Sequence, residues 1–299
     1  MVSNEELDRK NREVIQQEWD ELNPYNGIAP THPKSIIDLL DDFFKTCVEK
    51  YPDIFLIKSS ELGTLTRCRR GSFKMETDVF PPSLELAESK NIVNRWNPPG
   101  RRYLYMAHSL SNPSVAERTE NEFTCFHEMR AKKDEEYTFA DFEVISGSRD
   151  KCFLNMDYTG LEQSDIETHY DNVIREGAQA IANAMIETGV LLTKEQLKPI
   201  VRKGTQKLAA GYVGRSFLLP ICQTIFTPID DDKCPDGSER EKAYKSFHIL
   251  AEYLEKKNIA GVIYPSTRTA LLGIHSQNAV AFHVEDFAVV PNSLRTLVF

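Results

Sequence analysis

The chain has 299 residues and a formal net charge of −9, from 36 lysines and arginines against 45 aspartates and glutamates. This acidic balance argues against broad attraction to nucleic acid or anionic lipid, although it leaves room for a local basic patch. Hydrophobic residues at 41% and charged residues at 27% match folded globular proteins, which excludes a disordered or fibrous chain.

The sequence indicates a cytoplasmic protein. No window approaches the roughly 18 uninterrupted apolar residues of a membrane helix, and the N-terminus is too acidic and polar for a signal or transit peptide. No C-x-x-C pair and no histidine pair with metal-ligand spacing is present, so we expect no metal site. We expect free thiols at all six cysteines: Cys47, Cys68, Cys125, Cys152, Cys222 and Cys234.

The first sixty residues are predicted to be a helical extension that packs onto the domain after it. Residues 1–24 form a charged helical arm, and a loop rich in proline and glycine follows. Ser35 is the predicted N-cap of a second, amphipathic helix. Its apolar positions follow the helical repeat: Ile36, Ile37, Leu39, Leu40, Phe43, Phe44, Cys47 and Val48.

Between about 61 and 154 the pattern changes to short strands. Three runs have strand character: GTLTRCRRGSF, RYLYMAHS and YTFADFEVI. Between the second and the third, SVAERTENEFTCFHEMRA is predicted to be helical.

The stretch from about 155 to 235 is predicted to be a helical insertion. Capping boxes mark two helix starts, Ser164 with Glu167 and Thr193 with Gln196, and Gly189 ends the first helix. The apolar stretch SFLLPICQTIF and the acidic loop TPIDDDKCPDGS follow.

A further helix, capped by Ser238 with Glu241, precedes two closing strands, GVIYPS and AVAFHVEDF. The helix has an apolar stripe formed by Tyr244, Phe247, Leu250, Ala251 and Leu254. Residues 61–299 are therefore predicted to form one α+β domain with a helical insertion.

Two clusters of arginine are candidates for binding an anion. In TRCRRG, strand alternation places Arg67 and Arg69 on one face, where their guanidinium groups match phosphate geometry. In NRWNPPGRRYLYMAHS, a rigid turn can present Arg95, Asn97 and Tyr105 to a planar anionic ligand. The alternatives are a salt-bridged strand face and a turn that keeps a sheet edge soluble.

Two further clusters supply a carboxylate and a hydroxyl. Glu128, in TCFHEMRA, has apolar neighbours, and a partly desolvated carboxylate can stabilise a cationic transition state. In GVIYPSTRT, Ser266 and Arg268 follow a strand end, where polar groups often contact ligands. The alternatives are a glutamate on a helix surface and a serine that caps the next segment.

Taken in order, the four clusters resemble the RES domain family, which is named for its arginine, glutamate and serine. The matching segments are LTRCR, RWNPPGRRYLYMA, TCFHEMRA and GVIYPSTR, within residues 61–145 and 240–285. The resemblance implies an ADP-ribosyltransferase-like mixed β core and an enzyme that consumes NAD by splitting the bond between nicotinamide and ribose. Some members act as toxins of toxin–antitoxin pairs, and some use inorganic phosphate as the acceptor.

By this resemblance, Arg67, Glu128 and Ser266 are the three catalytic residues. Arg67 binds the pyrophosphate or a ribose oxygen, Glu128 stabilises the ribose cation, and Ser266 orients the nicotinamide ribose. Arg69, Asn97, Tyr105 and Arg268 are the expected substrate contacts. NAD is then a substrate, and no separate cofactor is required. An antitoxin or immunity protein is a candidate partner, whereas nucleic acid and membranes are not.

Several alternatives stay open at the level of the sequence. The functional arginine is one of Arg67, Arg69 and Arg70, and the functional glutamate is one of Glu117, Glu120, Glu122 and Glu128. The acceptor is water, phosphate or a macromolecule; the last would make the chain an ADP-ribosyltransferase. A module that binds a nucleotide or a protein without catalysis is the alternative from a different class.

Overall fold

The computed structural model describes residues 36–89, 94–98, 100–109, 115–158, 162–189, 193–225 and 237–299. The predicted arm over 1–24, the loop after it, Ser35 and most of the loop that contains Cys234 lie outside these residues. Two compact units divide the chain. One contains the described residues of 36–55 and 158–223, and the other contains those of 56–157 and 224–299.

The described α-helices are, in chain order, α1 (Ile36–Phe43), α2 (Pro52–Phe55), α3 (Leu84–Ser89), α4 (Val115–Glu128), α5 (Gln163–Thr188), α6 (Lys194–Ile225), α7 (Gly237–Lys256) and α8 (Thr267–Ala270). A π-helical turn covers Phe44–Val48, and short 3₁₀ turns cover Ser59–Glu61, Glu76–Val79, Ser146–Ser148 and Val284–Asp286. The strands are β1 (Leu56–Lys58), β2 (Thr64–Arg70), β3 (Leu104–Ser109), β4 (Glu136–Val144), β5 (Cys152–Asn155), β6 (Ile259–Pro265), β7 (Gln277–Ala281), β8 (Phe287–Val289) and β9 (Arg295–Val298).

The first unit is helical and packs through aromatic rings. Phe43 stacks on Phe217 of α6 at 4.9 Å between ring centroids, and meets Phe55 edge-on at 5.4 Å. The predicted apolar face of the amphipathic helix is confirmed at its buried members: Leu40, Phe43, Phe44, Cys47 and Val48. Ile37, predicted to belong to the same face, is exposed.

Four predicted helix boundaries can be compared with the structure. α6 begins at Lys194, directly after the predicted N-cap Thr193. Gly189 ends α5 in the left-handed conformation, with φ of 64°, as predicted. The N-cap predicted at Ser164 is wrong, because Glu162 is the N-cap of α5. The backbone N–H of Glu162 donates a hydrogen bond to the Asp165 carboxylate at 2.6 Å. α7 begins at Gly237, one residue before the predicted N-cap Ser238.

The predicted apolar stretch SFLLPICQTIF is part of α6, which runs through Pro220 to Ile225. Proline removes one helical hydrogen bond, and the sequence therefore favours a break here. Burial outweighs that cost, since the residues on both sides of Pro220 are buried: Phe217, Leu218, Leu219, Ile221 and Cys222.

The second unit is built on a mixed nine-stranded sheet in the order β1-β5-β6-β7-β3-β2-β4-β8, with β9 paired to β4. All neighbours are antiparallel except β5 and β6. The predicted α+β class is therefore confirmed. The three predicted strands between 61 and 154 and the helix between them are confirmed as β2, β3, β4 and α4. AVAFHVEDF is interrupted by a 3₁₀ turn and contributes to both β7 and β8.

Apolar side chains fill both faces of this sheet. The larger cluster includes Leu104, Phe142, Phe153 and Ile263, and a smaller one joins Cys68, Cys125 and Phe139 beneath α4. α7 packs its predicted stripe inward, with Phe247, Leu250, Ala251 and Leu254 buried and Tyr244 partly so.

Strands β5, β6 and β7 approach so closely at Gly261 that no side chain fits there. A Cβ atom at this position would lie 2.2 Å from the Val280 carbonyl oxygen and 2.3 Å from a ring carbon of Phe153. We therefore expect Gly261→Ala to lower the free energy of unfolding by about 1–3 kcal/mol, as measured by urea unfolding.

Gly147→Ala is the matched control, because a Cβ atom at Gly147 would meet no other atom within 4 Å. Its unfolding midpoint should stay constant or rise slightly. Equal midpoints for Gly261→Ala and the wild type would contradict the close approach.

Candidate functional site

A cleft of about 380 Å³ opens where strands β2 and β3 separate. The two strands pair only from Thr64 to Thr66 on β2 and from Ala107 to Ser109 on β3. Beyond Thr66, β2 continues to pair with β4 as far as Arg70, but it leaves β3. The cleft is lined by Arg67, Cys68, Arg69, Arg70, Pro82, Asn94, Tyr105, Met106, Ala107, Cys125, Glu128, Met129, Tyr264 and Asn278.

Arg67 lies directly at this separation and bridges it. Its Nη1 donates to the carbonyl oxygen of Tyr105 at 2.9 Å, and its Nε donates to that of Val79 at 2.7 Å. Burial, with a contribution from the nearby charge of Arg69, lowers the pKa of Arg67 to about 10. Arg67 therefore stays protonated at neutral pH, and no carboxylate of the described residues forms an ion pair with it.

Arg69 and Arg70 continue along β2. Arg69 donates to the carbonyl oxygens of Asp78 and Phe80 and lies over the ring of Phe73. Arg70 instead pairs with the carboxylate of Glu135 and is largely exposed. Arg67 and Arg69 thus bring two positive charges to the cleft that have no carboxylate partner among the described residues, whereas Arg70 pairs with Glu135.

Glu128 is the last residue of α4. The residue is exposed, which fits the alternative of a helix-surface glutamate better than a desolvated one. Its carboxylate is nevertheless fixed from two sides. Ser266 Oγ donates to Glu128 Oε1 at 2.6 Å, and Asn278 Nδ2 donates to the same oxygen at 2.8 Å. No donor of the described residues contacts Oε2. One carboxylate oxygen is thereby held, and the other is left for a ligand.

Ser266 follows the end of β6 and is fully buried. Its backbone N–H donates to the carbonyl oxygen of Ser276 at 2.8 Å, and its Oγ accepts from the N–H of Thr269 at 3.3 Å. The hydroxyl therefore caps α8 and contacts Glu128 at once. The interpretation of Ser266 as a cap of the next segment is confirmed, and its predicted contact with a ligand stays a prediction.

The turn before β3 is braced by Tyr105. The Tyr105 hydroxyl donates to Asn97 Oδ1 at 2.6 Å and accepts from the Trp96 backbone N–H at 3.0 Å, and Asn97 Nδ2 donates to the carbonyl oxygen of Arg101 at 3.1 Å. Gly100, with φ of 75°, supplies the left-handed residue of the turn. Burial raises the pKa of Tyr105 well above its usual value, so the hydroxyl stays protonated as a donor.

The structure thus brings some of the predicted site residues together and leaves others apart. Arg67, Arg69, Tyr105 and Glu128 line the cleft, and Ser266 contacts Glu128. Asn97 and Arg268 are not among the lining residues. Asn97 contacts Tyr105 within the turn, and Arg268 lies on α8.

The alternative glutamates of α4 lie in different surroundings. Glu120 is exposed, and Glu122 accepts a hydrogen bond from Arg295 Nε at 2.6 Å. For Glu117 only the helical backbone is described. Of the glutamates whose side chains are described, Glu128 is the one that lines the cleft.

Sequence reasoning missed Asn278, Tyr264 and the two thiols of the cleft. Asn278 directly precedes the apolar run AVAF and follows the polar residues Ser276 and Gln277, so no local signal distinguished it from the polar segment before the run. Burial raises the pKa of Cys68 to about 12 and that of Cys125 well above its usual value. Both thiols therefore stay neutral and act as part of the apolar floor.

The described residues include no cluster of three or more histidine, cysteine, aspartate or glutamate side chains that could hold a metal ion. Within the same part of the chain, no helix combines the length and the apolar character needed to cross a membrane.

Comparison with models of known protein families, with curated proteins and with solved structures gave no match. The resemblance to RES domains therefore rests on the sequence motifs, and it stays a prediction.

A buried ion network anchors α4 to the sheet. Arg295 donates to both Asp141 oxygens, at 3.1 and 3.2 Å, and to Glu122. Burial works against the charge of Arg295, but the hydrogen bonds with Glu122 and Asp141 outweigh it and raise its pKa. Thr66, the residue before Arg67, also donates from its Oγ1 to Asp141 at 2.9 Å.

We expect Arg295→Met to lower the free energy of unfolding by about 3 kcal/mol, because it leaves the buried Asp141 carboxylate without its cation. Urea unfolding measures the change. Arg149→Met is the control, since Arg149 is exposed, and its change should stay within about 0.5 kcal/mol. Equal stabilities of the two variants would show that the network contributes nothing.

Proposed function

We propose that this chain is an NAD-consuming enzyme of the RES type, with an ADP-ribosyltransferase-like core, that cleaves the bond between nicotinamide and ribose. The acceptor in this proposal is water or inorganic phosphate. One observation carries it: the Glu128 carboxylate, held by Ser266, lies in the same cleft as the uncompensated guanidinium of Arg67. The RES resemblance selects the same three residues from distant parts of the sequence.

The arginine end of the cleft suits the pyrophosphate of NAD. Arg67 is half-buried and has no carboxylate partner among the described residues. Partial desolvation of an unpaired guanidinium is costly, and an entering anion offsets that cost. Arg67 uses Nε and Nη1 on backbone carbonyls, and its Nη2 has no acceptor among the described residues. Charge-assisted hydrogen bonds to phosphate oxygens are short and strong, and Arg69 lies close enough to add to them.

The glutamate end of the cleft suits cleavage of the C–N bond between ribose and nicotinamide. When the C–N bond between ribose and nicotinamide breaks, its electron pair goes to the nicotinamide nitrogen, which loses its positive charge. The ribose then carries the positive charge as an oxocarbenium-like group. The Glu128 carboxylate, whose Oε2 has no donor among the described residues, stabilises that charge or accepts a hydrogen bond from a ribose hydroxyl.

The acceptor completes the reaction. An oxygen of water or phosphate forms a bond to the ribose carbon, giving ADP-ribose or its phosphate ester. With water as acceptor, one proton is released, and Glu128 can accept it as the carboxylate among the described residues that line the cleft. Tyr105 contributes its ring as a wall for the nicotinamide, because its hydroxyl is already engaged with Asn97 and Trp96.

Turnover of NAD is the direct test. We expect the wild type to release nicotinamide from NAD, and Glu128→Gln to release it about 10²-fold to 10³-fold more slowly, since the amide carries no charge. Incubations with and without phosphate, and with candidate macromolecules, followed by mass spectrometry of the products, measure the rate and identify the acceptor.

The control is Glu120→Gln, which removes an exposed carboxylate from the same helix. It should turn NAD over at the wild-type rate. Lack of NAD consumption by the wild type in every incubation would refute the proposed function. ADP-ribose attached to a macromolecule would move it to the ADP-ribosyltransferases.

Binding at the arginine end can be measured separately from turnover. In a Glu128→Gln background, Arg67→Ala should weaken NAD binding by about 1.5–3 kcal/mol, which is about 10-fold to 150-fold, through loss of a charge-assisted contact. Arg67→Lys, which keeps the charge without the planar fork, should fall in between. Isothermal titration calorimetry gives the dissociation constants.

Arg101→Ala in the same background is the control, since Arg101 is exposed and does not line the cleft. Its affinity for NAD should not change. If Arg67→Ala also binds NAD as the background does, the anion site belongs to Arg69 or Arg70 instead.

A further inference from the structure

Asn278 lies in the middle of the sheet, and only 6% of it is exposed. Its position on β7 is opposite Ala107 of β3 on one side and Tyr264 of β6 on the other. Ladders on both sides fix its backbone. A buried amide is costly unless its hydrogen bonds are made, so its hydrogen-bond partner is the first place to look for the role of Asn278.

The partner of Asn278 is Glu128. A carboxylate only accepts hydrogen bonds, so the amide nitrogen must face Glu128 Oε1, as it does at 2.8 Å. Because Ser266 donates to the same oxygen, two buried donors converge on Oε1 and none of the described residues donates to Oε2. The pair of donors therefore fixes the orientation of the carboxylate and leaves its second oxygen without a donor among the described residues.

Glu128 needs such support because of its place in the chain. It is the last residue of α4, and the chain then leaves the helix through Met129 and Arg130, the latter at a φ of 50°. A glutamate side chain at a helix end has several rotamers available, and holding one of them costs conformational entropy. Ser266 lies on the segment between β6 and α8, whereas Asn278 lies on a central strand, which is the more rigid support.

We propose that Asn278 is a positioning residue that holds the Glu128 carboxylate in the orientation required for cleavage of NAD. The proposal rests on the proposed function. Asn278 acts through Glu128, so its removal should lower kcat and leave KM nearly unchanged, because the arginine contacts that bind NAD are untouched.

Two variants test this. Asn278→Ala removes the donor and should lower kcat about 10-fold to 100-fold, with KM within about 2-fold of the wild type. Asn278→Asp keeps the size of the side chain but, at about pH 8, places a second carboxylate against Glu128, and repulsion should lower kcat at least as far. A residue that only stabilised the fold would change the amount of active enzyme and its unfolding midpoint, and folded Asn278→Ala would keep the wild-type kcat.

Gln277→Leu is the matched control. Gln277 is the preceding residue of the same strand, and its amide contacts His108 and Asp157 instead of Glu128. It should lower the unfolding midpoint without changing the kcat of the folded enzyme. If Gln277→Leu lowers kcat as far as Asn278→Ala does, the effect belongs to the strand, and the assignment to Asn278 is overturned.

A double-mutant cycle separates this inference from the proposed function. Urea unfolding of Asn278→Ala, Glu128→Ala and the double variant requires no NAD, and the midpoint shifts should not add, because each single change already removes the contact. Additive shifts would overturn the contact whether or not NAD is consumed. If the wild type consumes NAD and Asn278→Ala keeps its kcat, the positioning role is refuted and the proposed function stands. If the wild type consumes no NAD, the proposed function and the role that rests on it both fail, and the cycle decides only whether the contact exists.

Discussion

The separation of β2 from β3 beyond Thr66 opens the cleft of the sheet unit. Two adjacent strands that stop pairing leave carbonyl and N–H groups without ladder partners, and such groups need replacements. Arg67 supplies one of them by donating to the carbonyl oxygen of Tyr105 across the gap. A longer ladder between β2 and β3 would close the cleft, and a smaller residue in place of Arg67 would leave the carbonyl unsatisfied.

The charges of the cleft are arranged in a way that favours a ligand with both an anionic and a cationic part. Arg67 and Arg69 supply positive charge near the gap, and Glu128 supplies negative charge at the end of α4. The carboxylate is satisfied by Ser266 and Asn278 rather than by an arginine, so the two kinds of charge do not neutralise each other. NAD has a pyrophosphate and a positively charged nicotinamide, which is why this arrangement supports the proposed function.

Much of the sheet unit could be predicted from sequence because its longer elements are strongly periodic. β2, β3, β4 and α4 each span six or more residues with a clear pattern, and the motifs place Arg67 and Glu128 on them. Strands such as β5, with four residues, carry too little pattern to be recognised. The end of pairing at Thr66 and the contact of Glu122 with Arg295, 173 positions later, depend on tertiary packing, which local periodicity does not encode. Asn278 was missed for the same reason, since its partner lies on another element.

The ion network of Arg295 explains how the two halves of the cleft keep a fixed geometry without touching each other. Asn121 of α4 donates to Thr66 Oγ1 at 3.3 Å, and Thr66 in turn donates to Asp141, which Arg295 holds together with Glu122. α4 is therefore joined to β2 one residue before Arg67 and less than two helical turns before Glu128. Buried, mutually satisfied polar groups of this kind rigidify the elements they join. The distance between the cationic and the anionic end of the cleft is thus fixed by contacts outside the cleft. Both charges therefore stay available to a ligand.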